Sequence, residues 1–208
     1  LDEENTAWLL SVAGIARFSL SKQPLGLLRI PQPGNQPQGS VNNVRQMVED
    51  DAGNLWIATG NGFVQWRKSD GQWKIYTAVP DAPNKLNHPS VRGIAYDGKN
   101  IILGPTNLGI WIFNPATEQY RWPIYTNDSV KSYIERDFID DITTLRNGNF
   151  LLLGRDGLYL LEGGSYKLSM IDVPAAKENT NRAIERSDGK IWVITGKGVH
   201  LLSDSLKH

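Results

Sequence analysis

The sequence predicts an all-β fold assembled from short four-stranded antiparallel sheets, and three observations carry that expectation. The first is a degenerate repeat: Gly53-Asn54-Leu55-Trp56-Ile57-Ala58-Thr59, then Gly62-Phe63-Val64-Gln65-Trp66, recurs along the chain. Aligned on Trp56, its equivalents are Trp8, Ile102, Leu151 and Trp192, at spacings of 41 to 49 residues. The second is a glycine in register, six residues after the anchor at Gly14, Gly62, Gly157 and Gly198 and seven after it at Gly109. The third is a period-two alternation of apolar and polar residues after each glycine, which suits a pleated strand rather than a helix.

The second copy shows the elements most clearly. Strands are expected at Val44–Glu49, Leu55–Thr59, 63–67 and 73–77. Between them lie turn residues: Gly53 within 51–54, and the pairs Asp97-Gly98, Asn147-Gly148 and Asp188-Gly189 in other copies. Asn or Asp followed by Gly supplies the positive φ angles of a tight hairpin, so the chain reverses there. No helical periodicity of useful length is visible, and residues 175–179 are expected to make one turn at most. Four strands every 40 to 50 residues or so is the pattern of β-propeller blades. Five copies fill the 208 residues as a single domain, with blade repeats near 1–38, 39–86, 87–134, 135–178 and 179–208. The first copy opens at its second strand, 6–10, and the last stops after its third, 198–202. A seven-bladed ring at this spacing needs roughly 320 residues, so the expectation is an arc of a larger, seven-bladed propeller. A closed five-bladed ring is the alternative.

Composition narrows the function classes. Lys plus Arg and Asp plus Glu each number 22, and the formal charge of zero offers no case for nucleic acid or anionic lipid. Charged residues at 21% and hydrophobic ones at 40% match a chain that buries a core. With no Cys and three His there is neither thiolate chemistry nor a Cys- or His-rich metal site, and no cofactor is expected. No apolar run approaches the ~20 residues of a membrane helix. The chain opens on Leu1 without Met, so it reads as a piece of a longer protein, with any membrane segment outside it.

Val44-Arg45, Glu49-Asp50-Asp51, Gly53-Asn54-Leu55-Trp56-Ile57, Thr59 and Gly62-Phe63 resemble the repeat of two-component regulator propellers. The likeness extends to Val91-Arg92 with Asp97, Gly98 and Asn100, to Asp188-Gly189-Lys190-Ile191-Trp192 with Thr195, and to Gly14-Ile15-Ala16-Arg17-Phe18. The third and fourth copies depart from it, with Ile102 and Leu151 in place of Trp. The resemblance implies the periplasmic sensor part of a hybrid histidine kinase or related inner-membrane receptor, not itself an enzyme, that binds an oligosaccharide or other small polar ligand. An assembly scaffold whose arcs pair edge to edge as a homodimer is the alternative.

Enzyme readings find less support. Glu49, Asp50, Asp51 and the pair Asp140, Asp141 offer the carboxylates glycoside hydrolysis needs, yet Asp50 and Asp51 sit beside Gly53 and suit turn capping. Ser187-Asp188-Gly189-Lys190-Ile191-Trp192 has the letters of the sialidase Asp-box without its spacing. Virginiamycin-lyase-type propellers resemble the repeats more closely, but that chemistry needs a metal and a His base, for which His88 and His200, the two histidines ahead of the terminal His208, are the candidates.

Propeller ligands occupy one face around the central channel, so binding residues are expected on the long loops between blades, 31–43, 79–90, 126–138 and 173–181, and on the first residues of the innermost strands. Those opening positions carry Arg45, Arg92, Asp140 and Arg182, of which Arg45 and Arg92 follow the repeat and also suit ties between neighbouring blades. The loops add His88, Tyr133 and Arg136, and Trp122 and Tyr125 flank one of them as stacking candidates. Trp56 and Trp192, at the repeat anchor, are expected in the core.

Overall fold

A computed structural model describes residues 6–11, 14–19, 26–31, 41–77 and 90–203. They form five sheets in chain order, antiparallel throughout except for one edge pair in the fourth. The first contains β1 (Thr6–Ser11), β2 (Gly14–Ser19) and β3 (Gly26–Leu28). The second is the meander β4 (Val44–Glu49), β5 (Leu55–Thr59), β6 (Gly62–Trp66) and β7 (Trp73–Tyr76), within one residue of the expected bounds. The third is β8 (Val91–Tyr96), β9 (Ile101–Pro105), β10 (Trp111–Asn114) and β11 (Gln119–Arg121). The fourth comprises β13 (Ile139–Thr144), β14 (Phe150–Gly154), β15 (Leu158–Leu161) and β16 (Lys167–Met170), and β12 (Ile124–Tyr125) joins β16 in parallel as a fifth strand. The last is β17 (Thr180–Glu185), β18 (Ile191–Thr195) and β19 (Gly198–Leu202). This is the blade arrangement of a partial β-propeller.

The repeat residues explain the register. The anchors Trp8, Trp56, Ile102, Leu151 and Trp192 all fall in β1, β5, β9, β14 and β18, the second strands of their blades. The glycine that follows has positive φ at Gly14, Gly62, Gly109 and Gly198, where a Cβ would be strained. At Gly62 there is a second reason, because a Cβ would collide with the Tyr76 carbonyl oxygen on the neighbouring strand. Asp50 caps its turn as expected, accepting bonds from the backbone N–H of Ala52 (3.0 Å) and Asn54 (2.9 Å) and from Trp56 Nε1 (2.8 Å).

Four hydrophobic cores lie between the five sheets. Ile15, Val44, Ile57 and Val64 join the first to the second; Trp56, Phe63, Ile94, Leu103 and Phe113 join the second to the third. Ile102, Ile112, Ile142, Leu152 and Tyr159 join the third to the fourth, and Leu151, Leu153, Ala183, Val193 and Leu202 join the fourth to the fifth. A middle strand therefore buries both of its faces, which is why β5, β9 and β14 read as unbroken apolar runs instead of alternating ones.

Two expectations fail here. A helix does form: α1 (Asp128–Ile134) occupies the connection between the third and fourth sheets, capped by Asn127 Oδ1 accepting from Val130 N–H at 3.0 Å. Val130 and Ile134, one helical turn apart, drop into the core between those sheets. The single turn expected at 175–179 exists as a 3₁₀ turn, Pro174–Lys177. The second failure is Trp192, which is 37% exposed, against 1% for Trp56. It lies on the outer face of the last sheet, where the Arg186 guanidinium is 5.8 Å from its ring centroid and no further sheet packs among the described residues.

Candidate functional site

The four innermost strands, β4, β8, β13 and β17, each carry a β-bulge at their start. The ladder skips Arg45 between Val44 and Gln46, Arg92 between Val91 and Gly93, Asp140 between Ile139 and Asp141, and Asn181 between Thr180 and Arg182. A bulged residue is released from pairing and can aim its side chain away from the sheet. The fourth member of the set is thus Asn181, and Arg182 is corrected to one register further on. Arg182 is exposed and holds the buried Asp141 by an Nη1 to Oδ1 contact of 3.4 Å. Burial pushes the Asp141 carboxyl above its ordinary pKa, while the Arg182 charge opposes that shift.

Three of the predicted residues converge. Arg92 Nε is bonded to Asp140 Oδ1, and the other carboxylate oxygen, Oδ2, accepts from Arg155 Nε at 2.9 Å. Both guanidinium groups lie over the Phe138 ring, Arg155 at 4.5 Å and Arg92 at 5.7 Å from its centroid. Arg45 stands within electrostatic reach of all three: its pKa is lowered chiefly by burial, then by Arg92 and Arg155, with Asp140 opposing. Its Nε is buried without a hydrogen-bond acceptor among the described residues.

Arg155 and Phe138 had no signal in the repeat, and both are placed by Asp137. That buried carboxylate accepts from the backbone N–H of Phe138 (2.7 Å), Arg155 (2.9 Å) and Asp156 (3.1 Å) and from the Tyr159 hydroxyl (3.0 Å). Gly154 leaves room for it, since a Cβ there would overlap Asp137 Oδ2. Burial raises the Asp137 pKa despite these donors. Beneath the cluster, Gln46 spans three blades. Its Nε2 donates to the Ile142 carbonyl at 2.9 Å, while Oε1 accepts from Ile94 N–H at 2.9 Å and Ile142 N–H at 3.3 Å. Glycine at position 93 permits this approach of β13, because a Cβ would sit 2.7 Å from Ile142 Cγ1.

The remaining candidates stand apart. Tyr133, 58% exposed, and Arg136, bonded to Ser132 Oγ at 3.0 Å, lie on and just after α1, the helix that leads into Asp137 and Phe138. Trp122 packs on Trp111 with ring centroids 3.8 Å apart, beyond β11 at the outer edge. Tyr125 in β12 has a buried hydroxyl without a partner among the described residues, and burial pushes its pKa up. His88 lies outside the described residues. His200 Nε2 is 2.7 Å from Glu178 Oε2, far from the cluster on the last sheet.

The other two orphaned buried atoms are Thr106 Oγ1 and Trp111 Nε1, on either side of the β9–β10 connection. By strand direction, Arg45, Thr106 and Trp111 mark the end of the arc where the innermost strands begin, whereas the Tyr125 backbone is level, through Leu168, Leu161 and Phe150, with Thr144 at the opposite end of its blade. Among the described residues, no cluster of three or more His, Asp or Glu is arranged to hold a metal, and no helix is long and apolar enough to cross a membrane.

Residues 38–61 match a family profile described as two component regulator propeller. Comparison with curated protein sequences gives no match. Among solved structures, the extracellular domain of a hybrid two component system from B. thetaiotaomicron is similar over 97% of this chain and 27% of its own, at 19% identity and a TM-score of 0.74. The extracellular domain of a one component system from the same organism matches 95% of this chain and 26% of its own, at 18% identity and a TM-score of 0.70. Virginiamycin B lyase from Staphylococcus aureus matches 98% and 72%, at 15% identity and a TM-score of 0.62. The chain spans about a quarter of the length of the two sensor ectodomains. Fold and repeat together make it an arc of β-propeller blades bearing a two component regulator propeller repeat.

Proposed function

We propose that the chain is the extracytoplasmic ligand-sensing part of a two-component receptor, in the periplasm, and that it binds an oligosaccharide or similarly small polar ligand at the end of the arc where the innermost strands begin. The observation that carries this reading is the repeated bulge, which sets Arg45, Arg92 and Asp140 at the same station of three successive blades, with Arg92 and Asp140 in an ion pair. The family profile and the two ectodomain likenesses support the sensor role. The lyase likeness shares the fold, but the cluster offers guanidinium groups and a carboxylate whose two oxygens are both ion-paired in place of a free base, so no turnover of oligosaccharides is expected from purified protein. The test is the output of the full receptor carrying Arg92→Gln with Tyr133→Ala. Loss of the response to inducer is expected; an unchanged response places sensing elsewhere.

A second reading rests on the last sheet, where Ile184, Trp192, Ile194, Val199 and Leu201 form an apolar face left 37% to 59% exposed. Such a face suits pairing with a second copy, in an assembly scaffold that binds no small molecule. Light scattering separates the two readings, since a strictly monomeric protein contradicts the scaffold.

A further inference from the structure

We infer that the cluster of Arg45, Arg92 and Arg155 accepts the oxyanion of an acidic ligand, a carboxylate or sulfate group, with Asp140 as the built-in counter-ion that the ligand partly replaces. This rests on the reading of the strand-start end as a binding site and adds the charge of what binds there.

Two guanidinium groups bond a single carboxylate, and a third, that of Arg45, stands at the same bulge station of the preceding blade within reach of their charges. Asp140 spends both oxygens on Arg92 and Arg155, which leaves Arg45 without an acid partner among the described residues. The neighbouring acids do not make up the difference: Asp141 is held by Arg182, and Asp137 is buried under four donors, the backbone N–H groups of Phe138, Arg155 and Asp156 and the Tyr159 hydroxyl. An excess of half-buried, preorganised guanidinium groups is the arrangement that recognises planar or tetrahedral oxyanions. Phe138 fixes two of them from below, so little side-chain entropy is lost on binding. The buried Arg45 Nε–H lacks the acceptor that its burial demands. A neutral sugar offers hydroxyls for these donors but cannot relieve the mutual repulsion of the arginines.

The test is calorimetric titration of the full-length protein at fixed ionic strength with D-glucuronate, D-glucose, inorganic sulfate and chloride. Glucuronate is expected to bind and glucose and chloride not to. Arg45→Gln should weaken glucuronate by about tenfold or more, because a charged hydrogen-bond partner is lost. Arg186→Gln, on the far sheet, should change nothing. Asp140→Asn removes the competing charge and is expected to tighten anion binding, a change in the opposite direction that loss of structure would not produce. Sulfate binding as well as glucuronate keeps the oxyanion site and removes the sugar ring from it. Equal binding of glucose and glucuronate, or full affinity in Arg45→Gln, overturns the inference. If a neutral oligosaccharide binds while every anion fails, the sensor reading stands and this one falls. If glucuronate binds through Arg45 but the receptor output ignores it, the reverse holds.

Discussion

Strands β5 and β18 carry nearly the same residues, Leu-Trp-Ile-Ala-Thr and Ile-Trp-Val-Ile-Thr, at the same place in their sheets, yet every residue of β5 is buried while β18 alternates buried with exposed. The difference lies in the neighbours. β5 has a blade on each side and contributes Ile57 to one core and Trp56 to the next. β18 gives Ile191 and Val193 to the core it shares with the fourth sheet and leaves Trp192 and Ile194 with no blade opposite. An apolar run with both faces encoded is thus a statement about partners, and the last sheet presents the half of an interface that the interior sheets have completed.

The sharpest way to break that comparison is a matched pair of substitutions. Trp56→Ala empties a site walled by Phe63, Tyr76 and Phe113, whose rings lie 6.1 to 6.3 Å away, and should cost about 3–5 kcal/mol in denaturant unfolding. Trp192→Ala, already open to water, should cost about 1 kcal/mol or less. An equally large loss at Trp192 would reveal that the outer face is covered in solution. A smaller effect probes the interior joints. Gln46→Ala strands Ile94 N–H and both Ile142 backbone groups and should cost about 1–3 kcal/mol, read from the same unfolding curves. No loss would mean that hydrophobic packing alone joins the second, third and fourth blades.

The smallest expected effect is confined to the last sheet. The Glu178 carboxyl is held below its ordinary pKa, first by the hydrogen bond from His200 and then by that from Thr195. Its contribution is therefore complete above the ordinary glutamate value and fades as pH falls through the lowered one. Amide exchange of β19 should quicken across that acid window while β5 stays protected, and equal behaviour of the two strands would erase the contrast.

Much of this was legible in sequence, for a physical reason. A strand needs only alternation and a turn, and both are local, so β4 to β7 fell within a residue of expectation. The helix was hidden because α1 is seven residues long and its periodic signal is the single pair Val130 and Ile134, with the Asn127 cap as the one other trace. Arg182 was misplaced by the bulge, an extra residue that period-two counting does not see. Trp192 matched the anchor, but burial also needs a partner. Arg155 occupies a turn whose equivalents are Gly60 and Gly196, so repetition said nothing of a charge there; its place near Asp140 comes from Asp137 folding one loop onto another.

The repeated bulge has a further meaning for how such domains change. A residue skipped by the ladder has no cross-strand mate to satisfy, so its identity is unconstrained by the hydrogen-bonded framework. The four copies bear this out within one chain, holding Arg, Arg, Asp and Asn at one and the same geometric station. Recognition chemistry can then diversify by single exchanges while the blades keep their register, and duplicated blades become interchangeable carriers of different specificities.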